Sequence, residues 1–411
     1  MAHIRPFKAL RPDPQFAAAV ASRPYDVMNR VEARDEARGN PNSFLHITRS
    51  EIDLPDQVDA YDEQVYQTAK SNLKAFISRE VLFKEAKPCY YLYRLTMDGR
   101  SQSGLVCVSS VDDYNKDIIK KHEFTRPEKE NDRIQHIVQT GAQTGNVFLA
   151  YRNVAEIDEF IAQWQSNRSP IYDFTAEDGV QHEIWVINND KSIETITRLF
   201  DEQVPATYIA DGHHRAASAA KSHLQFKTER SKEKSAWFLT TLFPASQLYI
   251  MDYNRVVADL NGHSKDSLLA GLAQHFDVEV KGSKAFKPAE LHEFGMYIDK
   301  TWYKLTAKPG SYATDPIGVL DVTILSQRVL DPLLGIKDQR TDKRIDFVGG
   351  IRGLDALKKK VDDGEMAIAF ALYPVTIHQL FDIADSGQVM PPKSTWFEPK
   401  LRDGLLTHLV S

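Results

Sequence analysis

The sequence predicts an α+β protein with mixed sheets, flanking helices and a C-terminal α/β extension. Three observations support this fold class. Residues 89–96 and 103–111 are β-rich runs on either side of an Asp-Gly turn, which is typical of a β-hairpin. Residues 59–83 carry apolar side chains at helical spacing. At residues 207–220 an apolar run, a glycine and an alanine-rich run succeed one another, which predicts a strand that turns into a helix.

The remaining elements follow from the same patterns. Prolines interrupt residues 5–29, so we expect extended or looped chain there rather than a helix. Residues 43–48 alternate in the manner of a strand, and the polar run 227–234 is expected to be a mobile surface loop. Further strands and helices are predicted at 147–151, 156–164, 182–188, 192–200, 236–243, 264–276, 294–298, 302–307, 365–373 and 376–384. This succession predicts three segments, at 1–100, 101–256 and 257–411.

Composition excludes several classes of protein. The 411 residues include 51 basic and 57 acidic side chains, a net charge of -6 that argues against a general nucleic-acid binder. No window is apolar enough to span a membrane, and the first residues lack the apolar run of a signal peptide. Cys89 and Cys107 both lie in apolar, strand-like runs. We therefore expect reduced core cysteines in a cytoplasmic protein, with no nucleic-acid or membrane partner.

The strongest functional signal is the run from Asp211 to Arg215, Asp-Gly-His-His-Arg, at the predicted strand-to-helix junction. The first N–H groups of a helix lack intrahelical partners and, with the helix dipole, attract anions such as phosphate. Gly212 lets the backbone approach such a ligand, and Arg215 can clamp it with two donors. A helix-capping aspartate followed by solvated residues is the plainer interpretation of this run.

A second polar cluster lies at residues 121–133. Pro127 breaks any long helix there, so the charges are expected on a loop that leads into a helix near Lys129. Arg126, Lys129 and Arg133 can converge on phosphates, and Glu123 is a carboxylate able to accept a proton. Mixed charge of this kind is also typical of a solvated helix face.

Three chemistries fit these residues. The first is phosphoryl transfer, with residues 211–215 holding nucleotide phosphates and Mg²⁺ while Glu123 activates an acceptor hydroxyl. The second is a metal-dependent hydrolase that uses Asp211, His213 and His214. Adjacent histidines at a helix start point in different directions, which makes this arrangement awkward. The third is a nucleotide-binding regulator without turnover.

Several long motifs, in order, resemble the bacterial and archaeal family called domain of unknown function ten-fifteen. They are Pro-Phe-Lys-Ala-Leu-Arg-Pro, Arg-Pro-Tyr-Asp-Val, His-Glu-Phe-Thr-Arg-Pro-Glu-Lys-Glu-Asn-Asp-Arg, Ala-Asp-Gly-His-His-Arg and Met-Pro-Pro-Lys-Ser-Thr-Trp-Phe-Glu-Pro-Lys. The Asp-Gly-His-His-Arg turn is also similar to that of the free-serine kinases, which are built on a ParB/sulfiredoxin-like core. In those enzymes the turn binds nucleotide phosphates, and a separate glutamate acts as base toward the serine hydroxyl.

The resemblance implies a ParB-like core at residues 101–256 and an ATP- or ADP-dependent kinase acting on free L-serine or a similar small metabolite. The implied cofactor is Mg²⁺, with Asp211 as its ligand. Glu123, Asp211 and His214 take the catalytic roles, and Asp26, Glu128 and Asp132 compete with Glu123 as the base. The implied phosphate-binding residues are Gly212, His213 and Arg215, to which the spacing of the charged segment adds Arg126, Lys129 and Arg133. The donor, the acceptor and the oligomeric state stay open, and a homo-oligomer is allowed.

Overall fold

The structure is a computed structural model that describes residues 1–411. The chain forms two compact units, and we describe each by itself. Unit 1 comprises residues 1–248 and 399–411, and unit 2 comprises residues 249–398. No helix in the chain combines the length and the apolar character that a bilayer crossing requires.

The strands of both units are short to medium in length. They are β1 (Ile4–Arg5), β2 (Leu10–Pro12), β3 (Leu82–Lys84), β4 (Tyr90–Met97), β5 (Arg100–Ser110), β6 (Ile119–Lys120), β7 (Ala142–Gln143), β8 (Val147–Tyr151), β9 (Tyr172–Thr175), β10 (Gln181–Ile187), β11 (Thr207–Asp211), β12 (Trp237–Pro244), β13 (Tyr249–Met251), β14 (Tyr253–Val257), β15 (Phe276–Gly282), β16 (Glu293–Ile298), β17 (Thr301–Ala307), β18 (Ile345–Gly349), β19 (Ile368–Leu372), β20 (Trp396–Glu398) and β21 (His408–Leu409).

The helices lie between these strands. They are α1 (Ala17–Val20), α2 (Arg30–Ala37), α3 (Leu45–Thr48), α4 (Glu63–Ser78), α5 (Val111–Asn115), α6 (Pro127–Thr140), α7 (Ala155–Ser166), α8 (Asp190–Gln203), α9 (His213–His223), α10 (Glu229–Ser235), α11 (Lys265–Leu272), α12 (Asp321–Leu325), α13 (Gly353–Asp362) and α14 (Ile377–Asp385).

Unit 1 is built on a nine-stranded sheet in the order β6-β11-β8-β12-β5-β4-β10-β9, with β1 paired to β5. The sheet is mixed, because β11 pairs with β6 and β12 pairs with β8 in parallel while the other pairs are antiparallel. Its core contains Leu149 and Ile209 from the sheet, Trp164 from α7, Phe200 from α8 and Ala216 from α9. The alanine-rich helix α9 is therefore held against the strand that precedes it.

Unit 2 is built on a six-stranded sheet in the order β15-β17-β16-β19-β14-β18, and all of its pairs are antiparallel. Val256, Tyr297, Trp302 and Leu357 belong to its core. A separate two-stranded ribbon joins β13 to β20. The predicted mixture of helices and several sheets is confirmed in both units.

The division of the chain differs from the three predicted segments. The predicted boundary after residue 100 falls at the start of β5, which pairs with β4 from Tyr91 to Met97. Strand pairing therefore joins residues on both sides of that boundary. Residues 399–411 belong to unit 1 although they follow unit 2 in sequence. The first departure arises because the boundary cuts a β-hairpin, and the second because the last residues pair with strands and loops far away in sequence.

Three local predictions are wrong. The stretch at 5–29, expected to be non-helical, contains the single turn α1, because residues 15–23 carry no proline between Pro14 and Pro24. Residues 45–48 form the single turn α3 rather than a strand, because Leu45 and Ile47 are both fully buried and the turn packs against α4. Tertiary packing outweighs the alternating pattern there. The polar run predicted as a loop contains α10, which begins after Thr228, whose side chain accepts the Ser231 N–H as an N-cap.

Candidate functional site: the β11–α9 turn

The strand β11 ends at Asp211, and helix α9 starts two residues later. Gly212 makes the turn with φ at +97°, a left-handed conformation that glycine adopts at little cost. A Cβ atom on Gly212 would lie 3.0 Å from Nε of Arg215. The turn and the guanidinium are therefore in close contact at the N-terminus of α9, where the backbone N–H groups lack intrahelical acceptors.

Arg215 is the buried cation of this site, with a side chain that is only 7% exposed. Its Nη1 donates to the carbonyl oxygen of Asn146. Nη2 lies 3.4 Å from Oδ2 of Asp211 and 3.5 Å from Oδ2 of Asp26. Neither Nε nor Nη2 has an acceptor in hydrogen-bonding geometry. Buried donors without acceptors are costly, so an additional acceptor at this point would be favourable.

Asp211 is bound by two cations. Its Oδ2 accepts a hydrogen bond from Nζ of Lys400 at 3.1 Å and also faces Arg215. Burial would raise the pKa of Asp211, but Lys400 and Arg215 hold it well below its ordinary value. Asp211 is therefore ionised at neutral pH. Lys400 is a site residue that the motif at 211–215 does not predict, and its only signal is its place in the last of the family-like motifs.

The two histidines attach the segment at 122–126 to α9. Nε2 of His213 accepts the backbone N–H of His122 at 3.4 Å, and Nε2 of His214 accepts the backbone N–H of Arg126 at 3.0 Å. Burial lowers the pKa of His213, and burial together with Lys129 lowers the pKa of His214 to about 4. Both rings are therefore neutral at pH 7, and Nδ1 carries the proton in each.

Glu123 and the predicted phosphate-binding cations occupy different environments. Oε2 of Glu123 lies 3.9 Å from Nδ1 of His213, and its side chain is 38% exposed. Arg126 and Lys129 are exposed at the start of α6. Arg133 is mostly buried instead, with a side chain that is 12% exposed and Nη2 2.7 Å from Oδ2 of Asp132. The structure thus separates Arg133, by burial, from the two cations predicted to act with it.

Arg133 and Arg215 line a cavity of about 30 Å³ together with Tyr25, over whose ring the Arg133 guanidinium stacks at 4.1 Å. Asp403 lies beside this region and is 2% exposed, with both carboxylate oxygens lacking a hydrogen-bond donor. Burial raises the pKa of Asp403 to about 7. Neither the cavity nor Asp403 follows from a sequence motif, because the residues come from distant parts of the chain.

The three carboxylates predicted to compete with Glu123 are also separated. Asp26 faces Arg215. Asp132 accepts a hydrogen bond from the Tyr66 hydroxyl at 3.0 Å in addition to pairing with Arg133. Glu128 is exposed in the first turn of α6. Asp26 is therefore the competitor nearest the β11–α9 turn.

The donor set of the chain does not form a metal site by itself. No group of three or more His, Cys, Asp or Glu side chains is arranged to hold a metal ion. Asp211, the predicted Mg²⁺ ligand, is bound by Lys400 and Arg215 instead. Nε2 of His213 and Nε2 of His214 each accept a different backbone N–H, so these two nitrogens do not point at one metal.

Residues 4–323 match the family described as Protein of unknown function (DUF1015). The chain belongs to the DUF1015 family. The match includes the β11–α9 turn and residues 121–133, whereas Lys400 and Asp403 lie beyond it. A search of curated proteins finds no match.

Solved structures with some likeness to this DUF1015 chain include three proteins. A conserved hypothetical protein from Pyrococcus furiosus is 15% identical, with 74% of this chain and 94% of that chain covered and a TM-score of 0.35. A free serine kinase in complex with AMP is 13% identical, with 74% and 92% covered and a TM-score of 0.36. SbnI with a C-terminal truncation, from Staphylococcus aureus, is 9% identical, with 72% and 85% covered and a TM-score of 0.38. TM-scores this low do not establish a shared fold.

Proposed function

We propose that the protein is a cytoplasmic kinase that binds ATP or ADP at the β11–α9 turn. It transfers a phosphoryl group to the hydroxyl of free L-serine or a similar small metabolite. The observation that carries the proposal is Arg215, which is buried at the start of α9 with two N–H groups that lack acceptors. A phosphate group would supply both the acceptors and the negative charge. A ParB/sulfiredoxin-like core for unit 1 is part of the same proposal.

The surroundings of the turn suit a polyanion. His213 and His214 are neutral at pH 7, so they neither attract nor repel an anion through a net charge. Arg126 and Lys129 add positive charge at the start of α6, next to His214. Exposed cations around a buried anion site raise the rate at which a charged ligand arrives. These features favour a nucleotide over an uncharged ligand.

Glu123 is the base in this proposal. The acceptor oxygen attacks the terminal phosphorus of the nucleotide while the bond from that phosphorus to the bridging oxygen breaks. The leaving group is a nucleoside diphosphate when ATP is the donor and a monophosphate when ADP is the donor. Glu123 accepts the hydroxyl proton, and its exposed carboxylate can release that proton to water. Asp211, which is ionised and bound by two cations, positions Lys400 and Arg215.

Magnesium belongs to this proposal as an ion that would enter with the nucleotide phosphates. Mg²⁺ in proteins commonly uses one or two carboxylates together with phosphate oxygens and water, so it needs no cluster of three protein ligands. No step above depends on it. His214 is proposed to position the segment at 122–126, since its ring accepts the Arg126 N–H.

The alternative is a nucleotide-binding regulator without turnover. One observation favours it, since Lys400 and Arg215 already neutralise Asp211, the carboxylate expected to take part in catalysis. A metal-dependent phosphohydrolase has less support, because the chain offers no group of three metal-binding side chains.

The test is a phosphoryl-transfer assay with Mg²⁺, ATP or ADP, and a panel of free amino acids and small alcohols that includes L-serine. Phosphorylated products are detected by ³¹P NMR. Glu123→Gln should lower kcat about 100-fold or more, as expected for loss of a general base. Glu128→Gln, an exposed neighbour in the same charged segment, is the matched control and should retain activity. Nucleotide binding without any phosphorylated product would replace the kinase by the regulator.

A further inference from the structure

The segment at 399–411 forms one wall of the region around the β11–α9 turn. Arg402 fixes its position, since its guanidinium pairs with Asp178 and its Nε lies 3.3 Å from Nε2 of His182. The Arg402 backbone N–H also donates to the Tyr93 hydroxyl at 3.2 Å. Further along, β21 pairs with β7. These contacts hold the backbone beside Lys400 in a defined place.

Lys400 reaches the turn from this segment. Its Nζ lies 3.1 Å from Oδ2 of Asp211, the same oxygen that faces Nη2 of Arg215 at 3.4 Å. The Lys400 side chain is only 17% exposed. Two cations therefore meet on one carboxylate oxygen in a mostly buried position. Their mutual repulsion falls when a further anion joins them.

We propose that Lys400 is a phosphate-binding residue of the β11–α9 site. An ammonium group has three donors and acts as a compact charge, so it can keep Asp211 as a partner and donate to a phosphate oxygen as well. Arg215 would bind the same phosphate through Nε and Nη2, the donors without acceptors. The ligand class is a nucleotide or another compound with a diphosphate group. The inference rests on the proposed function, because that function places a phosphate at this turn.

The experiment is isothermal titration calorimetry with inorganic pyrophosphate on the full chain. Lys400→Met should weaken binding about 10-fold to 100-fold, the range expected for one charge-assisted hydrogen bond. Lys400→Arg keeps the charge and should bind within a few-fold of the wild type. Lys393→Met removes a lysine from the same proline-rich stretch and should leave the affinity unchanged. Circular dichroism and the melting temperature establish that each variant is folded.

A second measurement is made on the wild-type protein, so its result does not depend on whether Lys400→Met folds. Lysines of the wild-type protein are labelled biosynthetically with ¹³C and ¹⁵N, and the Cε–Nζ signal of Lys400, assigned with Lys400→Arg, should shift on addition of pyrophosphate. The inference is overturned if this signal does not move, if pyrophosphate does not bind, or if Lys400→Met binds as tightly as the wild type. Failure of the proposed function has a different signature. Pyrophosphate binding that depends on Lys400, without any phosphorylated product, would leave this inference standing and remove the kinase.

Discussion

Asp403, which is buried, and Asp211, whose side chain is 30% exposed, lie near the same guanidinium, that of Arg215, yet their pKa values move in opposite directions. Asp211, at the end of β11, accepts a hydrogen bond from Lys400, and its pKa lies well below the ordinary value. Asp403, in the segment at 399–411, has no donor on either oxygen, and burial raises its pKa to about 7. Arg215 and Arg133 also act on Asp403, but neither forms an ion pair with it, and burial prevails. The comparison teaches that direct contact decides, since Lys400 at 3.1 Å and Arg215 at 3.4 Å keep Asp211 ionised.

Removing the guanidinium of Arg215 should lower the free energy of unfolding more than any other change predicted below. Arg215→Met removes the buried cation that faces Asp26 and Asp211 and leaves Asp211 with Lys400 alone, so the free energy of unfolding should fall by about 3 to 5 kcal/mol. Urea denaturation at pH 7 measures this change. Arg126→Met, at an exposed position, is the control and should change stability by less than about 0.5 kcal/mol. A loss below about 1 kcal/mol for Arg215→Met would show that Asp26 and Asp211 do not depend on this guanidinium.

The pH dependence of the free energy of unfolding should distinguish Asp403 from Asp211, with the second largest effect. The pKa of Asp403 is about 7 in the folded state and about 4 in the unfolded state, so the folded state binds the proton more tightly. Its contribution is complete below about pH 4 and is lost as the pH rises to 7. Asp211 has a lowered pKa, so its contribution is complete above about pH 4 and is lost as the pH falls below that value.

Two variants test these opposite windows by urea denaturation across a pH series. Relative to Asp403→Asn, the wild type should lose stability between pH 4 and 7, on the order of 2 to 4 kcal/mol. Relative to Asp211→Asn, the wild type should lose its advantage only below pH 4. Parallel curves for the wild type and Asp403→Asn would show that Asp403 titrates normally and that the contrast between the two residues does not exist.

A substitution in the turn next to Arg215 should give the smallest change in the free energy of unfolding. Gly212 and Gly99 both have positive φ, at +97° and +76°, but only Gly212 has a neighbour within 4 Å of the position a Cβ would take. Each alanine variant carries the backbone cost of about 1 kcal/mol. Gly212→Ala should lose about 1 kcal/mol more, because Arg215 must shift. Equal losses in thermal or urea unfolding would show that the close approach to Arg215 has no energetic role.

The parts of this site that could be predicted from sequence are the local ones. The hairpin at 89–111 and the strand, turn and helix at 207–220 depend on neighbouring residues, and the structure has both. Lys400 could not be predicted in this way, because it meets Asp211 across 189 residues of sequence. The same holds for Asp26 and Asp403, which reach Arg215 through strand pairing and loop packing.

The strand wrongly predicted at residues 43–48 has a local cause and does not involve contacts between residues distant in sequence. Alternation of apolar and polar residues is a local pattern, but Phe44, Leu45 and Ile47 are all fully buried in the structure. A turn buried on several sides does not show the one-sided pattern of a helix, so its period cannot be recognised. The limits of prediction thus arise from distance along the chain in one case and from complete burial in the other.

The pairing of β7 with β21 has a consequence for the order of events during translation. Ser411 donates to the Gly141 carbonyl across 270 residues, so strand β7 leaves the ribosome long before its partner exists. At about 5 to 20 residues per second, that interval is roughly 15 to 50 seconds. While residues 216–399 are being made, the nascent chain carries Asp211 and Arg215 without Lys400, and a message truncated before codon 400 would yield this incomplete site permanently.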